Sequence, residues 1–137
     1  MTKSYFCLLP LALLAAVGVA AEKPTFTKAG HTTDSLALVN KRVNDNKAVL
    51  LDVREETEWR NGHLKDAKLL PLSIIRKDRL TAGQKKLLPK DKPVYCHCAS
   101  GGRVLTVSRI LRAKGYDIRP LKAGFGDLLK SGFEKAK

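Results

Sequence analysis

The sequence predicts an α/β protein with a small parallel-stranded sheet flanked by helices on both faces. A continuous apolar run at residues 48–53 has the length of a strand, and such a run is typical of a parallel strand buried on both faces. A second run, Val94–His97, is followed by a tight loop and then by apolar residues at helical spacing. Strand-like and helix-like segments alternate along the rest of the chain, which favours a parallel sheet between two layers of helices.

The first 21 residues have the pattern of a secretory signal peptide. A basic start at Lys3 is followed by an apolar core at residues 5–19 and by small residues. A membrane anchor is the alternative, but about 15 apolar residues are fewer than the roughly 20 that cross a bilayer as a helix. We therefore expect cleavage after Ala21 or the preceding alanine, a single domain at residues 22–137, no stable membrane anchor after cleavage, and a periplasmic or secreted location.

Capping and stop residues divide the rest of the chain into short elements. Thr33 or Asp34 would cap a first helix, and Gly115, which suits the left-handed conformation, would end the helix after the second run. The entry before the first helix is irregular, and His31, which has no visible partner in the sequence, is expected at the surface. The predicted strands are 48–53, 68–72, 92–97 and 117–121, and the predicted helices are 33–44, 56–60, 73–79, 81–88, 103–115 and 127–130.

A cysteine stands at the corner between the second apolar run and its helix. Backbone N–H groups of the loop and the positive end of the helix dipole would face the space in front of the Cys98 sulfur. These surroundings favour the thiolate, which is the nucleophilic form of cysteine, and Arg103 would bind an oxyanion through two donors. Cys98 is therefore the candidate nucleophile and requires no general base. The predicted substrate-binding residues are Ala99, Ser100, Gly101, Gly102 and Arg103.

Three segments of the chain carry a pattern that resembles a known family. Residues 98–103 have the spacing Cys-x4-Arg, residues 51–71 start with Leu-Asp-Val-Arg and continue through Gly-His-Leu to a proline, and residues 121–125 contain a Gly-Phe turn. In this order they are similar to the active-site loop, the LDVRxxxEFxxGHIxGAxxxP segment and the closing turn of rhodanese-like sulfurtransferases. The resemblance implies a rhodanese-like fold and the transfer of sulfane sulfur, from thiosulfate or a similar donor to a thiophilic acceptor, through a persulfide on Cys98.

The length of the loop separates this family from related phosphatases and arsenate reductases, which carry Cys-x5-Arg. Counted from Cys98, the arginine arrives one residue earlier, and the smaller cradle suits a sulfur carried on cysteine better than a phosphate group. Counted from Cys96, the spacing is Cys-x6-Arg, which fits neither group. The favoured function is thus an exported thiosulfate sulfurtransferase. The alternatives are a non-catalytic carrier of sulfane sulfur and, more weakly, a phosphatase or arsenate reductase.

Cys96, Asp52 and Arg54 are candidate accessory residues. Cys96 would share a sheet face with Cys98, where it either packs as a small buried side chain or resolves the persulfide by releasing sulfide and forming a strained disulfide. Asp52 and Arg54 either satisfy each other and the nearby backbone or, as the resemblance implies for the acidic residue, help to fix the local loop. His97 is expected to be packed or hydrogen-bonded. Cys96, His97 and Cys98 are three adjacent ligands without a distant fourth and would not form a tetrahedral cage, so no metal site is predicted. No cofactor is predicted either.

The chain is strongly basic, with a formal net charge of +13 at pH 7. Its Lys and Arg residues are scattered over many segments, which is more typical of a solvated surface than of a nucleic-acid groove. A positive field would raise the encounter rate with small anions. The predicted partners are therefore anionic sulfur donors such as thiosulfate and persulfides, thiophilic acceptors and, as a candidate, an acidic protein, with no nucleic acid.

Overall fold

The computed structural model describes residues 22–137, so the predicted signal peptide lies outside the described residues. In this part of the chain, helices and strands alternate as the sequence predicts. The strands are β1 (Val49–Asp52), β2 (Ala67–Leu69), β3 (Val94–His97) and β4 (Ile118–Pro120). The helices are α1 (Leu36–Asn44), α2 (Glu56–Arg60), α3 (Leu72–Arg76), α4 (Ala82–Lys85), α5 (Arg103–Arg112) and α6 (Phe125–Lys130).

These strands form one parallel sheet in the order β2-β1-β3-β4. β1 and β3 occupy its centre, and Asp52 at the end of β1 is the register partner of His97 at the end of β3. The carboxyl ends of the two central strands therefore meet at one edge of the sheet. In open parallel sheets, ligands bind outside this edge.

Helices cover both faces of the sheet. On one face, α3 and α5 pack over a cluster of buried side chains that includes Cys96, Cys98 and Val107. On the other face, α1, α2 and α6 pack over a second cluster that includes Leu50 and Tyr95. The two clusters confirm the predicted α/β class with helices on both faces. Within residues 22–137, no helix combines the length and the apolar character that crossing a membrane would require.

The second strand ends earlier than its sequence pattern predicts. Leu72, which was predicted to be the last residue of this strand, is the first residue of α3. The reason is Pro71, which has no N–H to continue the ladder and whose extended ψ of 143° makes it the N-cap of α3. Leu72 instead donates its N–H to the carbonyl of Val53 at 3.1 Å, which ties the start of α3 to the end of β1.

The first helix begins at Leu36, because Ser35 is its N-cap and not the predicted Thr33 or Asp34. The Ser35 hydroxyl accepts the N–H of Leu38 at 3.2 Å. The Asp34 carboxylate instead faces the sheet, where one of its oxygens accepts hydrogen bonds from β3, β4 and α1. The donors to Asp34 Oδ2 are Tyr95 Oη (2.5 Å), Arg119 Nη1 (2.9 Å) and Arg42 Nη1 (3.0 Å).

Candidate active site

Residues 98–103, here called the Cys98 loop, run from the end of β3 to the first residue of α5, as the sequence predicts. Cys98 is only 1% exposed, and the N–H of Gly101 donates to its Sγ at a distance of 3.2 Å. Within the described residues, the amides of Ala99, Ser100 and Gly102 have no hydrogen-bond partner. The loop therefore offers backbone donors to a negatively charged sulfur, or to an anion in front of it.

The turn at residues 121–125 closes against the Cys98 loop. The N–H of Phe125 donates to the carbonyl of Cys98 at 2.9 Å, and this bond joins the two segments directly. A Cβ atom at Gly124 would lie 1.9 Å from the carbonyl oxygen of Ala99, far inside van der Waals contact. The close approach of the two backbones therefore requires glycine at position 124.

Gly101 meets the same turn from the other side. Its φ of +83° lies in the left-handed region, which glycine adopts without steric cost. A Cβ atom at this position would also lie 2.3 Å from the carbonyl oxygen of Lys122. Two independent constraints thus favour glycine here, and they leave the loop backbone without side-chain bulk beside the sulfur.

Arg103 is held by Glu58 of α2 in a bidentate ion pair. Its Nη1 donates to Oε2 at 2.6 Å and its Nη2 donates to Oε1 at 2.7 Å. The guanidinium lowers the pKa of Glu58 to about 2, and the carboxylate raises the pKa of Arg103. The negative charge of a Cys98 thiolate adds to the rise in the pKa of Arg103. Within the described residues, the pair leaves three of the five guanidinium N–H groups for a ligand.

A comparison with known families identifies the family to which this site belongs. The profile of the rhodanese-like domain matches residues 35–131, which include Glu58, the Cys98 loop and the closing turn. The chain belongs to the rhodanese-like family. Its membership confirms the family that the three sequence segments resemble.

Relatives of this rhodanese-like domain include characterised and uncharacterised proteins. The uncharacterized protein YqhL of Bacillus subtilis is 36% identical over 85 residues, which cover 61% of this chain and 63% of YqhL. A tRNA sulfurtransferase of Desulfurococcus amylolyticus is 31% identical over 90 residues, which cover 66% of this chain and 16% of that protein. The chain thus spans less than two thirds of these curated relatives.

Solved structures share the fold. The human single-domain sulfurtransferase TSTD1 superposes with a TM-score of 0.61 at 24% identity, over 72% of this chain and 95% of TSTD1. Protein hp1203 of Helicobacter pylori superposes with a TM-score of 0.55 at 31% identity, over 66% of this chain and 79% of hp1203. The parallel sheet and its helices are therefore those of the rhodanese-like fold.

In this rhodanese-like domain, Asp52 and Arg54 form a buried ion pair. Arg54 Nη2 donates to Asp52 Oδ2 at 2.7 Å and to the carbonyl of Gly62 at 2.9 Å, and the two side chains are at most 6% exposed. The Arg54 guanidinium also lies over the ring of Phe125, 4.2 Å from its centroid. The pair thus satisfies itself and nearby backbone and touches the closing turn. That this ion pair helps to fix the Cys98 loop stays a prediction.

Cys96 and His97 lie on opposite faces of the sheet. Cys96 is fully buried on the same face as Cys98, and burial raises the pKa of its thiol. Both cysteines are free, and the resolving role considered for Cys96 stays a prediction. His97 is also fully buried, and burial lowers its pKa. Its ring stacks on Phe125 with a centroid distance of 6.4 Å, so it is a packed neutral side chain.

Two residues that the sequence did not assign to the site contact the Cys98 loop. Glu58 lies in the segment that resembles the family, so that resemblance could have marked it as a candidate site residue. No pattern in the sequence marks His31, and its expected place at the surface is wrong. The chain folds back before α1, so that His31 is 8% exposed and its Nε2 lies 2.7 Å from the carbonyl oxygen of Gly101.

The Glu58–Arg103 pair predicts a pH dependence of stability. The pKa of Glu58 falls from 4.5 to about 2 on folding, so its ionised form favours the folded state above about pH 4.5, and this contribution is lost as the pH falls toward 2. We expect the difference in unfolding free energy between the wild type and Glu58→Gln to be constant above pH 4.5 and to shrink below it. Urea titrations between pH 3 and pH 7 measure this difference. A difference that stays constant down to pH 3 would contradict the prediction.

Proposed function

We propose that this chain is an exported sulfurtransferase, periplasmic or secreted, which moves sulfane sulfur from thiosulfate or a similar anionic donor to a thiophilic acceptor through a Cys98 persulfide. The observation that carries the proposal is the hydrogen bond from the Gly101 N–H to Cys98 Sγ at 3.2 Å, in a loop with further unpaired amides. Membership of the rhodanese-like family supports the sulfur chemistry. The sequence pattern of residues 1–21 supports export.

In the first step, the Cys98 thiolate attacks the outer sulfur of thiosulfate. A new S–S bond forms to Cys98 while the S–S bond of thiosulfate breaks, and the bonding electron pair leaves with sulfite. The product is a Cys98 persulfide anion, so the total charge is unchanged. Backbone N–H groups of the Cys98 loop would stabilise the negative sulfur without moving, because the fold already fixes them.

In the second step, an acceptor such as cyanide attacks the outer sulfur of the persulfide. The S–S bond breaks, its electron pair returns to Cys98, and thiocyanate leaves. No proton has to be transferred in either step, which agrees with a nucleophile that has no histidine partner among the described residues.

Arg103 is proposed to bind the oxyanion end of the donor. Glu58 fixes the guanidinium by two bonds, and the remaining N–H groups suit the oxygens of thiosulfate or sulfite. The excess of basic residues in this chain would raise the encounter rate with such dianions. High salt would screen this attraction and weaken the effect.

The names of the longer relatives suggest other acceptors. A tRNA sulfurtransferase and a tRNA uridine(34) hydroxylase match this chain over only 16% and 32% of their own lengths. Because the basic residues of this chain are scattered over many segments, the proposed acceptor is a small thiophile or the thiol of an acidic protein, and not a nucleic acid.

Two measurements on the mature protein test the proposal. After incubation with thiosulfate, intact-mass analysis is expected to show a gain equal to one sulfur atom, which cyanide then removes. Continuous thiocyanate formation from thiosulfate and cyanide is expected, because an enzyme turns over. A carrier would stop after one load. Absence of any sulfur adduct, or release of phosphate from an aryl phosphate instead, would overturn the proposal.

A further inference from the structure

We propose that His31 is a positioning residue for the reaction at Cys98, which fixes the peptide group between Gly101 and Gly102 and so directs the Gly102 amide toward the reacting sulfur. This proposal rests on the proposed function, because it concerns the same loop. His31 lies outside residues 35–131, which the family profile matches, and it contacts the Cys98 loop from the segment before α1.

The contact between His31 and the loop is a buried hydrogen bond. His31 Nε2 lies 2.7 Å from the carbonyl oxygen of Gly101, and the side chain is 8% exposed. A carbonyl oxygen can only accept, so Nε2 must carry the proton. The contact therefore fixes both the ring tautomer and the direction of the carbonyl group.

The direction of this carbonyl determines the direction of the next amide. In a planar trans peptide, the C=O and N–H groups point to opposite sides. Because the Gly101 carbonyl points at His31, the N–H of Gly102 points away from it, and it has no hydrogen-bond partner within residues 22–137. The preceding amide, that of Gly101, already donates to Cys98 Sγ. Two consecutive N–H groups are thus available to a negative sulfur chain on Cys98.

A peptide between two glycines needs an external anchor. Glycine tolerates the dihedral angles of both orientations, so the peptide can flip without a steric barrier from a side chain. A flipped peptide would direct the Gly101 carbonyl oxygen where the N–H of Gly102 now points, and would repel a thiolate or persulfide. The close contact with Lys122 forbids a larger residue at position 101, so rigidity has to come from a partner such as His31.

The backbone of His31 is itself held on both sides. The N–H of Thr27 donates to the His31 carbonyl at 2.8 Å, and the N–H of His31 donates to Thr27 Oγ1 at 3.2 Å. The next residue, Thr32, donates its N–H to the carbonyl of Pro120 at the end of β4, at 2.8 Å. The imidazole is therefore presented to the loop from a turn that is anchored to the sheet.

Two matched variants test this role. His31→Phe keeps a ring but removes the donor, whereas His31→Gln keeps an N–H donor at a similar distance. We expect His31→Phe to lower the single-turnover rate of persulfide formation about tenfold and to move the pH profile of Cys98 alkylation to higher pH. We expect His31→Gln to recover most of both effects, which a purely structural role of the ring would not allow.

Several outcomes decide whether His31 positions the peptide between Gly101 and Gly102 or only fills space with its ring. A wild-type rate and a wild-type alkylation profile in His31→Phe, or equal losses in both variants, would overturn the inference. If the wild type gains no sulfur from thiosulfate, the proposed function fails, but the alkylation profiles still decide the role of His31. Should His31→Phe not fold, ¹⁵N NMR of the wild-type imidazole decides, because the inference requires a proton on Nε2 and a proton on Nδ1 alone contradicts it.

Discussion

Replacing Cys98 with serine is expected to abolish sulfur transfer, with the rate of thiocyanate formation falling by at least about a thousandfold. A serine hydroxyl is not ionised near neutral pH, and it cannot form a persulfide. The Gly101 N–H would still find an oxygen to donate to, so the fold should persist. Steady-state assays with thiosulfate and cyanide measure the loss of activity. Thermal unfolding of the wild type and of Cys98→Ser shows that the loss comes from the missing thiol and not from unfolding.

Cys96→Ala is the matched control for this experiment. Cys96 lies two residues away on the same sheet face but is fully buried, and burial raises the pKa of its thiol. We expect thiocyanate formation, and sulfide release in excess thiol, to stay close to those of the wild type. Activity that survives in Cys98→Ser and disappears in Cys96→Ala would reverse the assignment of the nucleophile.

Gly124→Ala is expected to lower the stability of the protein strongly. The new Cβ would lie 1.9 Å from the carbonyl oxygen of Ala99, and both partners are backbone groups that cannot rotate away. We expect the free energy of unfolding to fall by about 3 kcal/mol. Persulfide formation should slow as well, because the turn would push the Cys98 loop out of place. Urea unfolding and single-turnover kinetics measure the two effects.

Gly126→Ala provides the comparison for this prediction. Gly126 lies in the same turn-to-helix segment, and a Cβ there meets nothing within 4 Å. Because alanine favours a helix more than glycine does, we expect Gly126→Ala to be neutral or to stabilise by less than about 1 kcal/mol. Similar losses in both variants would show that the helix, and not contact with the loop, is sensitive to substitution.

Much of the fold follows from local patterns in the sequence. The apolar run that becomes β1 and the strand, loop and helix around Cys98 are contiguous, so their elements could be predicted within a few residues. The ends of helices were less predictable where a side chain can either cap the helix or bind elsewhere. Asp34 could have capped α1, but its carboxylate binds partners on β3 and β4, which are distant in the sequence.

In the candidate site too, residues that are close in the sequence could be predicted, and residues that are distant in the sequence could not. Cys98 and Arg103 are five positions apart, and their spacing alone places them on one loop. Glu58 and His31 reach that loop from 45 and 70 residues away, and only the assembled sheet brings them there. His31 was misplaced because a histidine in an irregular segment shows no periodicity, and its partner is a backbone carbonyl that sequence does not reveal.

The docking of residues 121–125 on the Cys98 loop has a consequence for the order of synthesis. A ribosome makes Cys98 well before it makes the turn that closes over it, and the Phe125 bond to the Cys98 carbonyl needs both. A nascent or truncated chain that ends before this turn thus holds the thiol on an unfinished loop. We expect such a chain to react with sulfur donors more slowly than a chain that includes residues 121–125.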